Sequence, residues 1–168
     1  MNRRGCAYID KHDREIGQLS VDWTLAHASR EAKDFMRDLP FDFRFDLDGK
    51  RIRLVHGSPR KVNEYLFEDK PARTFERIAA LADCDVLVFG HTHKPWIHDY
   101  AGIRFVNCGA VGKPKDHDPR VAFAILEGQD GAVSASIRRV GYDATAVAHE
   151  MRAVGLPEEL AEKLVAAA

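Results

Sequence analysis

The chain has 168 residues, 45% of them apolar and 30% charged, with 25 basic side chains against 26 acidic and a formal net charge of -1. That length and balance describe one globular domain, residues 1–168, which buries roughly 70% of its unfolded surface. The near-neutral charge gives no electrostatic footprint for nucleic acid or anionic lipid, and no apolar run approaches the roughly 18 residues of a membrane span. Met1-Asn2-Arg3-Arg4 leads into no signal-peptide core. The three cysteines, Cys6, Cys84 and Cys108, are widely spaced and form no C-x-x-C. Neither a disulfide framework nor a cysteine zinc site is expected, and a reducing cytoplasm fits this usage.

In chain order, a charged segment comes first. Ile16, Leu19, Trp23 and Ala26 recur on one helical face, and Ser29 caps a second helix through Phe35 and Met36 that Pro40 stops. The period then switches to two. Phe41, Phe43, Phe45 and Leu47 alternate with Asp42, Arg44, Asp46 and Asp48, which predicts a strand with the phenylalanine face buried. Asp48-Gly49 signals a hairpin, and Arg51 to Val55 is the returning strand. It runs into His56-Gly57-Ser58-Pro59 and a charged loop. A helix is expected from about Ala72 to Ala82, then a continuous apolar strand, Val86 to Phe89, of the kind buried on both faces. Trp96 to Asp99 and Ile103 to Val106 form a hairpin about Ala101-Gly102. A loop rich in Gly, Pro, Lys and Asp precedes two last strands, Val121 to Leu126 and Ala132 to Val140. Asp143 caps a helix ending at Gly155, and Pro157 opens the final one. The content is mixed α and β.

The chemistry concentrates in three of the eight histidines. His56 ends one predicted strand, and His91 and His93 follow another in Gly90-His91-Thr92-His93. Imidazole is a common neutral metal ligand, and a glycine beside each site lets the backbone come close to a bound group. Read singly, each is a strand-end or loop histidine bonded to backbone. Three in matching contexts point to a shared metal site. His27, His98, His117 and His149 read as surface residues. Asp10-Lys11-His12 spells D-x-H, but only Ala7-Tyr8-Ile9 precedes it as a strand and a helical segment follows, so it reads as coincidence.

Val55-His56-Gly57-Ser58-Pro59, Phe89-Gly90-His91-Thr92-His93-Lys94-Pro95 and Phe105-Val106-Asn107-Cys108-Gly109 occur in an order that resembles the calcineurin-like metallophosphoesterase superfamily. The likeness is to its small bacterial and archaeal single-domain phosphoesterases, and it runs from about Cys6 to the last helix. The resemblance implies a four-layer α-β-β-α sandwich holding two divalent ions, manganese, iron, zinc or nickel. It implies that His56 and His91 bind one ion and His93 the other, with Asn107 in a turn beside them. The reaction implied is attack of a metal-bridging hydroxide on a phosphodiester or phosphomonoester, with ions about 3.5–4 Å apart. Asn63, Asn107 and Lys113 are the substrate-binding candidates. Asn63 and Lys113, like Arg60 and Lys115, lie in loops that either meet a phosphate or are simply solvated. No catalytic acid or base is assigned.

The family's opening D-x-H strand and its G-D and G-N segments have no counterpart ahead of His56, and Cys108 and Ala110 stand where proline and serine are usual. The expectation is therefore a sandwich incomplete at its N-terminal side, with Met1 an internal methionine or a boundary. Open sheet edges would favour self-association or a complementing chain. Three functions follow. One is a metal-dependent phosphoesterase that needs the absent half for full activity. A second is an inactive phosphoesterase-like scaffold that binds protein. The third is a structural zinc site on His56, His91 and His93. The substrate is a phosphate ester, nucleic acid enters only as substrate, and no membrane is involved.

Overall fold

Neighbouring residues on the central strand β3 (Val86–Phe89) serve two different cores, which is why its sequence is apolar without a break. On it, Leu87 and Phe89 face a cluster with Phe75, Ile78, Trp96 and Phe105, while Val86 and Val88 face one with Ile52, Val106 and Val133. A strand buried on both faces has no place for polar alternation. The computed structural model describes residues 10–168, so the short segment Ala7-Tyr8-Ile9 and Cys6 lie outside the described residues.

The main sheet has five strands in the order β1-β2-β3-β5-β4, built from β1 (Asp42–Leu47), β2 (Lys50–Val55), β3, β4 (Trp96–Tyr100) and β5 (Ile103–Asn107). The β1–β2 and β4–β5 pairs are antiparallel hairpins, and β2, β3 and β5 run parallel. The first hairpin turns at Asp48 and Gly49, both at positive φ (50° and 75°), the backbone that an Asp-Gly turn supplies. Helix α3 (Ala72–Ala82) crosses from β2 to β3 and buries Phe75, Ile78 and Ala82 on one face of the sheet. A second sheet, β6 (Val121–Gln129) with β7 (Ala132–Val140), packs on the other face through Val133, Ala124, Leu126 and Ile137. The mixed α/β sandwich expected from the sequence is the architecture found.

The helices follow their caps. In α1 (Lys11–His27) the Asp10 carboxylate accepts from the Asp13 amide, in α2 (Arg30–Asp38) Ser29 accepts from Ala32, and in α4 (Ala144–Ala153) Asp143 accepts from Ala146. Helix α5 (Glu158–Ala166) starts after Pro157 with Glu158 and Glu159 in its first turn, where the helix dipole favours acid. Contacts at a distance in sequence tie α1 to the C-terminal helices: Lys163 to Asp13 at 3.0 Å, His12 to Glu159 at 2.6 Å, and the Trp23 indole N–H to the Val154 carbonyl at 3.1 Å.

One expectation fails. The phenylalanine face of β1 is not buried: Phe41, Phe43 and Phe45 are 60%, 55% and 37% exposed. Phe43 and Phe45 pair across the hairpin with Leu54 and Ile52, so they stand on the face that carries β6 and β7. Only Leu47, at the end of that row, is reached by the narrow second sheet, where it lies against Gly128. The alternation was a true strand signal. Burial required a wider second layer than two strands provide.

Arg53 holds the edge hairpin to the rest of the molecule. Its guanidinium is buried, donates to the Leu81 and Ala82 carbonyls at the end of α3 at 2.8 and 3.0 Å, and pairs with Asp42 at 2.6 Å. The hydrogen bond and charge of Arg53 hold the Asp42 carboxyl below its ordinary range. Arg53→Met should destabilise the fold by about 3 kcal/mol, because it strips two carbonyls of their donor and leaves Asp42 only the longer contact from Arg44 at 3.4 Å. Asp42→Asn should cost less, and urea unfolding measures both. A depressed carboxyl pKa stabilises the fold above the unfolded value of about 4 and loses that contribution as pH falls through the folded value, so the wild type and Asp42→Asn should converge in stability in acid.

Candidate metal and phosphate site

Parallel pairing sets the site. Leu54 of β2 registers with Val88 of β3, and Phe89 of β3 with Asn107 of β5, so all three strands end at one edge of the sheet. The amide of Gly90 donates to the His56 carbonyl at 2.9 Å and that of Cys108 to the Phe89 carbonyl at 2.9 Å, carrying the pairing into the loops. After His56 the chain doubles back tightly. A β-carbon on Gly57 would lie 2.4 Å from the Val62 carbonyl oxygen and 2.9 Å from the Glu64 amide, so only glycine fits. Ser58 closes this turn: its hydroxyl donates to the Glu64 carboxylate and accepts from the Arg60 and Lys61 amides at 3.1 and 3.2 Å. Arg60 also pairs with Glu64. Burial alone would raise the Glu64 carboxyl, but the bonds from Arg60 and Ser58 outweigh it and hold it low. That carboxylate is fully engaged in the turn.

The strand ends bring two imidazoles into contact. His56 Nε2 lies 3.1 Å from His91 Nδ1, with ring centroids 4.9 Å apart. The other nitrogen of His91, Nε2, is buried and meets no hydrogen-bond partner among the described residues. Tyr65 lies against the same ring at 4.2 Å. His93 Nδ1 donates to the Lys113 carbonyl at 2.6 Å, which fixes the tautomer and leaves Nε2 as its lone-pair nitrogen. Burial first, then the neighbouring charges of His56, His93 and Lys115, push the His91 pKa down to about 4; burial and the same lysine loop lower His93. These two rings are therefore neutral at physiological pH, the form that binds metal.

Neutral imidazoles held at ligand spacing fit a divalent ion in part. Two nitrogens 3.1 Å apart are spanned by one ion with bonds of about 2.1 Å. Yet among the described residues no group of three or more His, Cys, Asp or Glu side chains is placed to hold a metal ion. His56, His91 and His93 bring three imidazoles and no carboxylate, so the donor set is one side of a centre. Two cations cannot be held close together by neutral ligands without negative charge between them.

The other residues singled out in the sequence separate by role. Asn107 is wholly buried; its amide donates to Thr92 Oγ1 at 2.8 Å and to the Gly90 carbonyl at 3.4 Å, while its Oδ1 accepts from the Gly109 amide at 3.0 Å. It locks the loop that carries His91 and His93, a positioning role in place of the substrate contact expected. Asn63 is half-buried in the turn after His56, with its backbone near the His91 ring. Lys113 is half-buried and borders both the cavity that the histidines line and a second, larger one. His27 bonds the Trp23 carbonyl and stacks on its ring, His98 stacks on Phe75, and His117 and His149 are exposed. Tyr65 escaped sequence reasoning because nothing in Asn63-Glu64-Tyr65-Leu66 tells which ring meets His91.

The α/β sandwich carries these histidines at the ends of parallel strands, and comparison with known proteins places the fold. The model of the calcineurin-like phosphoesterase superfamily domain matches residues 10–131. The metallophosphoesterase from Sphaerobacter thermophilus, a crystal structure, is 30% identical, with a TM-score of 0.72 over 88% of this chain and 67% of that one. A hypothetical protein from Pyrococcus horikoshii is similar in fold, with a TM-score of 0.79 at 22% identity over 89% of this chain and 60% of that one. A "Probable metallophosphoesterase" of Methanothermobacter thermautotrophicus is 28% identical over 99 residues, 58% of this chain and 51% of that protein. The chain thus spans about half the length of the curated relative it matches. It belongs to the calcineurin-like phosphoesterase superfamily. Among the described residues no helix is long and apolar enough to cross a membrane.

The glycine and asparagine that shape the loops give a direct check. Gly57→Ala should destabilise the fold by about 2 kcal/mol or more, since three backbone atoms must move. Asn107→Ala should cost about 1–3 kcal/mol by stranding the Gly109 amide and removing the shortest bond of the Thr92 hydroxyl. Thermal and urea unfolding read both, and a loss of less than about 0.5 kcal/mol at either position would contradict the packing described.

Proposed function

We propose that this chain forms the histidine side of a metal-dependent phosphoesterase that hydrolyses phosphodiester or phosphomonoester bonds. The observation that carries the reading is the facing pair, His56 Nε2 and His91 Nδ1 at 3.1 Å, with His93 held as a neutral ligand tautomer by the Lys113 carbonyl. His56 and His91 would hold one divalent ion and His93 a second; manganese, iron, zinc and nickel all suit this chemistry. Ions held there polarise phosphate oxygens and activate water. The protein's own residues position that chemistry: Asn107 and Thr92 fix the loop, and Lys113 supplies positive charge beside it.

The carboxylates such a centre needs come, on this reading, from a further segment. A cavity of about 410 Å³ beside the histidines is floored by Leu54, Val88 and Val111, and Val111 is 70% exposed. Together with Phe43 and Phe45 it leaves the inner face of the main sheet open next to the metal ligands. A strand bearing Asp or Glu on that face would cover the apolar surface and complete the donor set together. It is supplied by the same polypeptide or by a complementing chain, and without it the chain self-associates. A cytoplasmic setting accords with the unpaired thiols of Cys84 and Cys108.

Calorimetric titration with Mn²⁺ should show binding that weakens by at least about 100-fold in His56→Ala or His91→Ala, the upper end for residues one shell further from a metal. Turnover of bis(p-nitrophenyl) phosphate should be slow for the chain alone and rise by orders of magnitude with a carboxylate-bearing segment supplied. Equal, near-zero rates in both would instead favour a scaffold that binds protein, the reading that the lack of carboxylate donors among the described residues also allows. In sizing experiments the chain should be larger than a monomer, and Phe43→Asp with Phe45→Asp should return it to monomer. A monomeric wild type would overturn the open-face argument.

A further inference from the structure

A histidine that binds metal through one nitrogen is normally held by a hydrogen bond on the other, which fixes tautomer and ring plane together. His93 follows that rule, with Nδ1 on the Lys113 carbonyl at 2.6 Å. His91 does not. Its Nδ1 faces His56 Nε2 at 3.1 Å, and its Nε2 is buried without a hydrogen-bond partner among the described residues. The Asn63 backbone comes near the ring, with a weaker effect on its proton affinity than burial, His56, His93 or Lys115. An imidazole turns easily about its last side-chain torsion, whose wells are broad. Something other than a hydrogen bond must hold this ring.

The ring that meets it is Tyr65. The two centroids are 4.2 Å apart with planes tilted by 37°, closer than the 4.9 Å edge contact between His91 and His56. Tyr65 itself has little freedom. On one side of it in the chain, Glu64 is bound by the Ser58 hydroxyl and the Arg60 guanidinium. On the other, Leu66 is fully buried in the core with Phe75 and Leu87. Phe67 stacks beside the phenol ring, 12° from parallel with centroids at 5.9 Å. Phe67, Tyr65, His91 and His56 thus form one contiguous run of four rings. The turn that leads to Tyr65 is closed by Gly57 and Ser58 directly after His56. One short stretch therefore supplies both a ligand and the ring that braces its neighbour.

The geometry points to Tyr65 as a positioning residue of the histidine site: its ring, not its hydroxyl, keeps the His91 imidazole turned with Nδ1 towards His56. A flat aromatic face in contact restricts rotation of the imidazole plane, as a hydrogen bond on Nε2 would. The inference rests on the metal reading for its consequence, which is affinity for the ion that His56 and His91 share. The bracing of the ring stands without metal. His93 has its own carbonyl and serves as the internal reference. Two ligands of one loop are thus fixed by different means, one by a hydrogen bond and one by ring packing.

The test uses the full chain as Tyr65→Ala, Tyr65→Leu and Tyr65→Phe, with urea unfolding to establish that each folds. Without metal, the nitrogen NMR spectrum of the histidine rings should show His91 in one state in the wild type and in Tyr65→Phe. In Tyr65→Ala and Tyr65→Leu its ring signals should average or broaden, while those of His93 stay in place. With Mn²⁺, calorimetry should show affinity about tenfold weaker or more in Tyr65→Ala and Tyr65→Leu, the range for residues that orient a ligand. Tyr65→Phe should stay within about twofold of the wild type, because it keeps the ring. If Tyr65→Ala does not fold, Tyr65→Leu carries the test. An unchanged His91 spectrum or an unchanged Mn²⁺ affinity in a folded variant without the ring overturns the assignment, and so does an equal loss in Tyr65→Phe. Disturbance of His91 and His93 together would mean that Tyr65 only supports the fold, and overturns it too. If the wild type binds no Mn²⁺, the metal reading falls, and the ring spectrum alone decides for or against Tyr65.

Discussion

Parallel pairing of β2, β3 and β5 is the constraint on which the rest depends. In a parallel sheet every strand delivers its C-terminal end to the same edge, so residues far apart in sequence meet there without any loop having to search for them. His56, His91 and Asn107 are each the product of one strand end, and the amide of Gly90 on the His56 carbonyl extends that order one residue past the sheet. Parallel strands must be covered on both faces, and the two apolar clusters either side of β3 do this. Lose the core on either face and the histidine geometry goes with it, because among the described residues no disulfide and no local hairpin holds these ends together.

Much of this was legible in the sequence, for physical reasons that can be named. The ends of α3 at Ala72 and Ala82 and the β4–β5 hairpin about Ala101-Gly102 were read correctly. Their signals are local: helical spacing, a turn dipeptide, and an apolar run. The placing of His91 and His93 in a loop at a buried strand's end was legible because the glycine before them and the strand before that are local too. The failure at β1 is instructive. Alternation of Phe41, Phe43 and Phe45 with charged residues reports a strand, but whether the apolar face is covered depends on what packs there, which is set by distant chain. The same limit hid the ring of Tyr65 on His91 and the consumption of Asn107 by Thr92 and Gly109, since all are contacts between loops of different strands.

The electrostatics of the site and its open face are connected. Burial beside other imidazoles and Lys115 depresses His91, so the cluster tolerates neutral rings and resists protons. A site arranged to avoid accumulating positive charge from protons accepts it only with an anion present to offset it. On the function proposed above, that anion would be a carboxylate across the open inner face. The histidines line the smaller of two neighbouring cavities, and Lys113 borders both.

Backbone strain marks the same place independently. His91 and His93 both sit at positive φ, 66° and 60°, although neither is glycine. Each such residue costs on the order of 1 kcal/mol or more, and a loop free to relax would not keep two of them flanking a single threonine. Thr92 between them is buried and bonded by Asn107, the Lys113 carbonyl holds His93, and Gly90 is tied back to His56. Buried hydrogen bonds on all sides over-determine the loop and hold the unfavourable dihedrals. What the strain achieves is visible in the rings: with an ordinary extended backbone, residues two apart would turn their side chains to the same face of a strand. The left-handed turns instead send His91 against His56 and His93 towards the lysine loop, so one short loop serves two neighbouring positions.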